Sequence, residues 1–265
     1  MRQPLWVIKI GGNVIDSSQH LALFLRHFAQ LEGAKILVHG GGKIATQIAD
    51  SMGVTTKMVD GRRITDQEML NVVTMVYGGL VNKNIVAQLQ GIGVNAIGMT
   101  GADANAIKAV KRPVKEVDFG FVGDLTSNSI NASILEKIIE AGLIPVFSAL
   151  THNGHGQLFN TNADTIASAL AVGLSSVYET KLIYCFEKNG VMRDINNDAS
   201  VIEKINPAYF EELKNQGIIA DGMLPKLQNA FDAITKGVKE VYIGHAGKLA
   251  DLSEGKAFGT CLSLS

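Results

Sequence analysis

The sequence predicts an α/β fold, a three-layer αβα sandwich in which helices cover both faces of a mainly parallel central sheet. Short apolar segments typical of buried strands alternate with segments whose apolar residues recur at helical spacing. Glycine-rich turns directly follow two of these strands, at residues 11–12 and 40–42. The chain has 265 residues, of which 46% are hydrophobic, so it can bury a large core.

The first half of the chain shows the alternation most clearly. A strand at 5–10 precedes a serine-capped helix whose apolar residues lie on one side. A second strand at 36–38 leads through the glycine-rich turn into a helix that we expect to begin near Ile44. Thr65 and Glu68 have the spacing of a capping box, and the longest helical segment follows them.

The second half of the chain repeats this pattern. We expect a strand at 143–147 and then a helix capped by Asn162. The remaining strands and helices are expected at 182–185, from Pro207, at 221–234 and at 241–243. A helix ends and a strand begins near 173–180, so we divide the chain into an N-terminal lobe, 1–176, and a C-terminal lobe, 177–265, that share one sheet.

Charge and cysteine content exclude several classes of function. The 24 basic and 25 acidic side chains give a formal net charge of -1, which offers no general attraction to nucleic acid or to a membrane surface. Cys185 and Cys261 have the spacing of neither metal ligands nor a disulfide framework. The start of the chain lacks the basic and apolar regions of a signal peptide. We therefore expect a cytoplasmic protein.

The two glycine-rich turns are the first candidates for a ligand site. Lys9, Gly11 and Gly12 lie at the end of the first strand, and three glycines at 40–42 follow the second. Glycine lets backbone N–H groups approach an anionic ligand closely, and the ligands of parallel sheets bind where strands end. Lys9 adds a mobile positive charge. These features predict a site for a phosphate or a carboxylate.

The second turn also permits another interpretation. Gly40, Gly42 and Ala45 fit the G-x-G-x-x-A fingerprint of dinucleotide-binding proteins, with Asp60 about twenty residues further on. This interpretation predicts a nicotinamide-dependent oxidoreductase. However, it leaves the turn after Lys9 unexplained, and the fingerprint normally follows the first strand of its unit. The Walker A pattern of P-loop proteins is absent from the sequence.

Four polar side chains have positions that suit a ligand site. Arg63 precedes a helix, and its guanidinium group can hold a carboxylate through two parallel hydrogen bonds. Asn160 lies ahead of a helix cap and is free to bind an amide or a carboxylate, whereas Asp164 fits the first turn of that helix. Lys226 follows a proline at a helix start. Each of these residue types is also common on protein surfaces.

Several short polar and glycine-rich motifs occur in a fixed order along the chain. They are Lys9-Ile-Gly-Gly, His39-Gly-Gly-Gly, Gly61-Arg-Arg-Ile-Thr, Gly98-Met-Thr-Gly-Ala-Asp, Gly120-Phe-Val-Gly-Asp, Asn160-Thr-Asn-Ala-Asp, Asp221-Gly-Met-Leu-Pro-Lys and Gly259-Thr260. In this order, the motifs resemble those of the amino-acid kinase superfamily and, within it, the N-acetylglutamate kinases. The resemblance covers essentially the whole chain, and the segments at Arg63 and Asn160 distinguish this subfamily from carbamate, aspartate and uridylate kinases.

The resemblance implies an enzyme that uses ATP to phosphorylate the γ-carboxylate of N-acetyl-L-glutamate in arginine biosynthesis. The product would be N-acetyl-L-glutamyl 5-phosphate. The N-terminal lobe would bind the acyl amino acid and form a homodimer, and the C-terminal lobe would bind ATP. Magnesium would be carried mainly by the ATP phosphates, so no metal site is expected in the chain itself.

The resemblance also implies roles for individual residues. The acyl amino acid would be bound by Gly41, Gly42, Arg63 and Asn160. ATP would be bound by Gly11, Gly12, Glu187, Gly190 and Gly222. Lys9 and Lys226 would flank the transferring phosphoryl group, and Asp164 would orient both lysines. Asp164 would not act as a base, because a γ-carboxylate is already ionised at neutral pH.

One segment departs from the family pattern. After the strand of the nucleotide lobe, family members usually have Thr or Ser, then Asp, Val, any residue and Gly, whereas this chain has Phe186 and Glu187 in the first two places. We interpret this change as compatible with ATP binding, because both lysines and Asp164 are present. The competing interpretation is a noncatalytic ligand-binding relative. The sequence also leaves the identity of the acyl group undecided, since the substrate could be N-succinylglutamate in place of N-acetylglutamate.

The residues before the first strand bear on assembly. Arginine-inhibited relatives carry an extra N-terminal helix that interlaces dimers into a hexameric ring. Here residues 1–5 precede the strand that leads to Lys9, and five residues are too few for such a helix. The long apolar helix after Thr65 offers a self-complementary surface. We therefore expect a homodimer that arginine does not inhibit.

Overall fold

The computed structural model describes residues 2–194, 196–219 and 223–264. An eight-stranded sheet forms its centre, in the order β12-β14-β13-β11-β1-β2-β8-β5, and three two-stranded antiparallel hairpins lie outside it. The strands of the described residues are β1 (Pro4–Ile10), β2 (Ala34–His39), β3 (Met58–Val59), β4 (Arg62–Arg63), β5 (Ala96–Met99), β6 (Val110–Lys111), β7 (Gly123–Asp124), β8 (Ile144–Phe147), β9 (Leu150–His152), β10 (Leu158–Asn160), β11 (Glu179–Phe186), β12 (Lys204–Ile205), β13 (Glu240–His245) and β14 (Thr260–Leu262).

Neighbouring strands of the sheet run parallel except β13 and β14. The predicted mainly parallel α/β sandwich is therefore confirmed. Both lobes expected from the sequence contribute strands to this sheet. Strand β1, from the N-terminal lobe, pairs with β11, from the C-terminal lobe, from Pro4 opposite Glu179 to Ile10 opposite Cys185. Strands from both halves of the chain thus share one sheet and one carboxyl edge.

Helices connect the strands. The α-helices of the described residues are α1 (Gly12–Ile15), α2 (Ser18–Gln30), α3 (Gly42–Ser51), α4 (Gln67–Val73), α5 (Asn82–Gly91), α6 (Ala132–Glu140), α7 (Ala163–Leu174), α8 (Pro207–Asn215), α9 (Leu224–Thr235) and α10 (Ala250–Ser253). A π-helical segment, Thr74–Val81, joins α4 to α5. None of the helices in the described parts of the chain combines the length and apolar character needed to cross a bilayer.

Two hydrophobic cores lie on opposite faces of the sheet. Leu5 and Val7 of β1 pack into a core with helices α6 to α9, whereas Ile8 and Ile10 pack into a core with helices α1 to α5. Successive side chains of a strand point to opposite faces, so a strand covered on both faces is apolar almost throughout. This requirement explains why the central strands are near-continuous hydrophobic segments.

The helix after β2 begins within the glycine-rich turn, earlier than the sequence pattern predicts. The pattern predicts a start near Ile44, whereas α3 starts at Gly42.

His39, at the end of β2, is fully buried, and its Nδ1 lies 2.8 Å from the carbonyl oxygen of Gly40. Burial lowers the pKa of His39 to about 4, so the imidazole is neutral at physiological pH and can act as a rigid support beneath the turn.

The predicted cap at Thr65 is wrong, because Asp66 caps α4 and accepts a hydrogen bond from the Met69 N–H at 2.9 Å. The backbone N–H of Thr65 donates to Phe119 O, and its hydroxyl accepts a hydrogen bond from the Asn160 amide at 3.0 Å. These tertiary contacts leave Thr65 unable to cap the helix. The predicted cap at Asn162 is confirmed, since its side chain accepts a hydrogen bond from the backbone N–H of Thr165 in the first turn of α7.

Candidate functional site

Two cavities meet at the carboxyl edge of the sheet. The larger cavity has a volume of about 820 Å³ and the smaller one about 410 Å³, both within the usual range for small-molecule sites. Lys9, Gly12 and Asp164 line both cavities. The carboxyl edge is where open α/β sheets bind their ligands, so the geometry indicates two ligands whose near ends come together beside Lys9.

Lys9 and Asp164 form an ion pair at this meeting point. The Lys9 Nζ lies 2.7 Å from the Asp164 Oδ1, and the side chains are 11% and 33% exposed. Lys9 is the penultimate residue of β1, and Asp164 lies in the first turn of α7, whose cap is Asn162. The strand and the capped helix therefore fix both partners. The predicted proximity of Lys9 and Asp164 is present in the structure.

Lys226 approaches the same point from the first turn of α9. Its Nζ lies 4.0 Å from the centroid of the Phe186 ring, at the end of β11. Burial lowers the pKa of Lys226; the carboxylate of Asp164 opposes that shift, and the charge of Lys9 adds to it. The three groups thus influence one another electrostatically, and both cations lie near the carboxylate of Asp164.

The glycine turn after β2 forms one wall of the larger cavity. Gly41 has a φ of 146°, a backbone conformation that residues with a side chain rarely adopt. A Cβ at this position would lie 3.1 Å from the ring of Tyr77. Gly41 is also the N-terminal cap position of α3, where no side-chain hydrogen bond caps the helix. The first N–H groups of α3 therefore provide donors and a partial positive charge suited to an anion.

Arg63 lies in the same wall and is only 8% exposed. Its Nη2 donates to Gly42 O and to Thr46 Oγ1, both at 2.8 Å, and its Nη1 donates to Thr56 Oγ1 at 3.2 Å. The guanidinium group thus ties β4 to the start of α3. Its fixed charge reinforces the attraction of this wall for a carboxylate.

Asn160 completes the predicted set around the larger cavity. It lies at the end of β10, and its Nδ2 donates to Thr65 Oγ1 at 3.0 Å, which orients the amide. The four residues predicted to bind the acyl amino acid all line this one cavity, although they come from distant segments of the chain: Gly41, Gly42, Arg63 and Asn160.

The smaller cavity brings together most of the residues predicted to bind ATP. Gly11, Gly12, Glu187 and Gly190 line it, together with Lys226. A Cβ at Gly190 would come within 2.7 Å of Thr260 Oγ1, so this glycine allows close packing against β14. The remaining predicted residue, Gly222, lies outside the described residues.

Tyr77 and Arg112 line the larger cavity, although neither of them was assigned to a ligand site from the sequence. Tyr77 has the spacing of an apolar helix face, but its ring packs on Gly41; burial raises its pKa, and the charge of Arg63 opposes the shift. Arg112 also lines this cavity and donates to both oxygens of Asp124, with an Nη2 to Oδ1 distance of 2.6 Å. No motif marks Arg112, whereas the hydroxyl of Tyr77 within an apolar segment is a usable signal.

The arrangement suits neutralisation of negative charge. Lys9 presents positive charge to both cavities, Lys226 presents it to the smaller cavity, and the start of α3 presents N–H donors to the larger one. Among the described residues, no group of three His, Cys, Asp or Glu side chains could hold a metal ion. Asp60, the acid of the dinucleotide fingerprint, lies in the turn between β3 and β4. That turn belongs to a separate two-stranded hairpin and not to the parallel sheet that a dinucleotide-binding unit uses.

Known proteins resemble the chain over nearly its whole length. Residues 4–245 match the amino acid kinase family. Acetylglutamate kinase of Bacteroides thetaiotaomicron is 55% identical over 95% of this chain and 97% of its own. Acetylglutamate kinase of Cytophaga hutchinsonii is 53% identical over 98% of both chains.

A solved structure gives an independent view of the fold. N-acetylglutamate synthase of Neisseria gonorrhoeae, complexed with coenzyme A and N-acetyl-glutamate, matches 98% of this chain and 59% of its own with a TM-score of 0.80. At 22% identity this likeness shows the fold alone. The family assignment depends instead on the match to residues 4–245 and on the two relatives of higher identity. The chain therefore belongs to the amino acid kinase family, in the subfamily of the acetylglutamate kinases.

Proposed function

We propose that this chain transfers the γ-phosphoryl group of ATP to the γ-carboxylate of N-acetyl-L-glutamate. The product is N-acetyl-L-glutamyl 5-phosphate, an intermediate of arginine biosynthesis. The observation that carries the proposal is the meeting of two cavities at Lys9 and Asp164, in a chain 55% identical to a protein named acetylglutamate kinase. We place the reaction in the cytoplasm, in keeping with two cysteines that form no disulfide.

In this proposal each cavity holds one substrate. The acyl amino acid occupies the larger cavity, with its α-carboxylate toward Arg63 and its amide toward Asn160. ATP occupies the smaller cavity, with its phosphates along the backbone of Gly11 and Gly12. The N-terminal lobe, 1–176, therefore supplies most contacts to the acyl amino acid, and the C-terminal lobe, 177–265, supplies most contacts to the nucleotide.

The chemistry requires alignment and charge neutralisation. The γ-carboxylate attacks the γ-phosphorus, the bond to the bridging oxygen of ADP breaks, and negative charge spreads over the transferring group in a loose transition state. Lys9 and Lys226 face this charge from β1 and α9, while Asp164 forms an ion pair with Lys9 and attracts Lys226 electrostatically. No base is needed, because the pKa of an ordinary glutamate side chain is about 4.3 and the attacking oxygen is already ionised.

Magnesium fits this site as a companion of ATP. The carboxylates that line the smaller cavity within the described residues are Asp164 and Glu187, and Asp164 is already paired with Lys9 at 2.7 Å. Mg²⁺ is commonly bound by one or two carboxylates together with phosphate oxygens and water. Glu187 is thus the residue available to hold it, and the ion supplies further neutralisation of phosphate charge when bound.

The substrate assignment is tested by measuring ADP release with N-acetyl-L-glutamate and N-succinyl-L-glutamate side by side. We expect the higher kcat/KM with the acetyl compound. A higher value with the succinyl compound would contradict the proposed acyl group.

Calorimetry with ATP and with NAD tests for a noncatalytic relative and for an oxidoreductase. ATP binding without turnover of either acylglutamate would indicate the noncatalytic relative, and NAD binding would indicate the oxidoreductase.

Replacing Arg63 by lysine is expected to raise KM for N-acetyl-L-glutamate about tenfold or more and to change KM for ATP much less. Lysine keeps the charge but loses the planar fork that bonds Gly42 and Thr46 and that we propose holds the α-carboxylate. Steady-state kinetics in both substrates measure the effect, with the exposed Arg26→Lys variant as control. A larger rise in KM for ATP would assign Arg63 to the phosphate site.

We also propose that the chain forms a homodimer through the helix that runs from α4 through the π-helical segment into α5. Met75 and Leu80 lie on this helix and are 51% and 48% exposed, so they offer apolar surface to a second chain. Light scattering is expected to give the mass of two chains, and Met75→Glu combined with Leu80→Glu is expected to give the mass of one. A dimer that survives both changes would place the interface on another surface.

A further inference from the structure

Phe186 contacts both lysines of the site. Its ring centroid lies 4.0 Å from the Nζ of Lys226 and 5.4 Å from the Nζ of Lys9. Phe186 is the last residue of β11, the strand that pairs directly with the strand of Lys9, and it lines the smaller cavity. One aromatic side chain therefore bridges two cations that come from β1 and α9.

These contacts address an electrostatic difficulty of the site. Two ammonium groups that converge on one point repel each other, and the single carboxylate of Asp164 lies at 2.7 Å from Lys9 only. Within the described parts of the chain, no carboxylate lies at salt-bridge distance from Lys226. The face of an aromatic ring carries negative potential and attracts a cation without adding a formal charge. The Phe186 ring, 4.0 Å from the Lys226 Nζ, therefore provides such an attraction for the Lys226 ammonium group.

The ring is itself held in position. Tyr184 and Phe186 lie two residues apart on β11, so their side chains point to the same face of the sheet, and their rings stack with centroids 6.2 Å apart and planes inclined by 28°. The Tyr184 hydroxyl donates to the backbone oxygen of Asp164 at 3.4 Å. A fixed ring gives a long, flexible lysine a preferred location.

We propose that Phe186 is a positioning residue that holds Lys226, together with Lys9, at the meeting point of the two cavities. The inference rests on the proposed phosphoryl transfer and extends it, because Phe186 occupies the place where the family pattern has a hydroxyl residue. The aromatic ring contacts the ammonium groups of both catalytic lysines. Phe186 acts on the reaction through the two ammonium groups, and its loss should affect turnover more than substrate binding.

A series of fluorinated phenylalanines at position 186 tests this role. One, two and three fluorine atoms weaken the negative potential of the ring stepwise and change its size little. We expect log kcat to fall with each fluorine, by about tenfold over the series, while KM for N-acetyl-L-glutamate stays nearly constant. The same series at Phe24, which is buried in α2, is the matched control and should leave kcat unchanged. Phe186→Trp should retain activity better than Phe186→Leu.

A spectroscopic measurement tests the contact without turnover. Lysine Nζ atoms are labelled with ¹³C-methyl groups, and the signal of Lys226 is assigned by its loss in Lys226→Arg. A methyl group above the ring should resonate upfield, and Phe186→Leu should abolish that displacement. Constant kcat across the fluorinated series, or an undisplaced Lys226 signal, would overturn the inference while leaving phosphoryl transfer intact. If the unsubstituted protein showed the displaced signal but transferred no phosphoryl group, the proposed function would fail, and the positioning role with it.

Discussion

Replacement of Lys9 or of Lys226 by methionine is expected to lower kcat by about two orders of magnitude or more. Methionine keeps much of the length of the side chain and removes the charge. The lost interaction is one that strengthens as negative charge develops on the transferring phosphoryl group, and deleting such contacts typically has an effect of this size. Both positions lie at the edge of a cavity, so we expect thermal unfolding to change little. Steady-state kinetics and circular dichroism measure the two properties.

Lys43→Met provides a matched control for these variants. Lys43 lies in the first turn of α3 beside the glycine-rich turn, and its side chain is 66% exposed, with its Nζ 3.7 Å from Asp16. Removing this charge should leave kcat close to that of the unsubstituted protein, because Lys43 lines neither cavity. Near-normal turnover of a Lys9 or Lys226 variant would exclude that lysine from the mechanism.

Asp164→Asn should lower kcat by about tenfold to a hundredfold and move the alkaline limb of the kcat profile to lower pH. The carboxylate raises the pKa of Lys226 against the opposing effects of burial and of Lys9. Its removal therefore lowers the pKa of Lys226, and the ammonium group loses its proton at a lower pH. The ion pair with Lys9 is lost as well. Measuring kcat between neutral and alkaline pH checks both effects.

Asp50→Asn, an exposed change on α3, is the control for loss of one negative charge. It should change neither kcat nor its dependence on pH. If the alkaline limb of the Asp164→Asn variant stayed in place, Asp164 would not act through Lys226. Normal kcat in that variant would remove Asp164 from the site altogether.

The fold could be predicted where local sequence carries the information. The strands at β1 and β2 are continuous apolar segments that end in glycine turns, and Asn162 has the residue type and the position of a helix cap. The prediction failed at Thr65, whose hydroxyl and backbone are bound by Asn160 and Phe119, both distant in sequence. The order of strands was equally beyond local signals, because the pairing of β1 with β11 brings distant segments together.

The site divides in a similar way. The turns at Gly12 and Gly41 could be predicted because glycine loses more conformational entropy on folding than other residues do. Consecutive glycines therefore indicate a backbone that needs an unusual φ or a close approach to a ligand. The contact of Lys226 with Phe186 was not visible, since it joins α9 to β11 and the sequence alone shows only an aromatic residue where a hydroxyl was expected. Tyr77 was marked only by its hydroxyl, because a tyrosine at helical spacing in an apolar segment otherwise has the same pattern as a core residue.

The central claim is that the γ-carboxylate of N-acetyl-L-glutamate accepts the phosphoryl group where the two cavities meet. Trapping the product with hydroxylamine tests it most directly, because an acyl phosphate is converted to a stable hydroxamate that mass spectrometry can locate. With ATP and N-acetyl-L-glutamate we expect the γ-hydroxamate, formed in proportion to ADP, and a strongly reduced yield from Lys9→Met. Formation of ADP without any hydroxamate, or a hydroxamate at the α-carboxylate, would contradict the account.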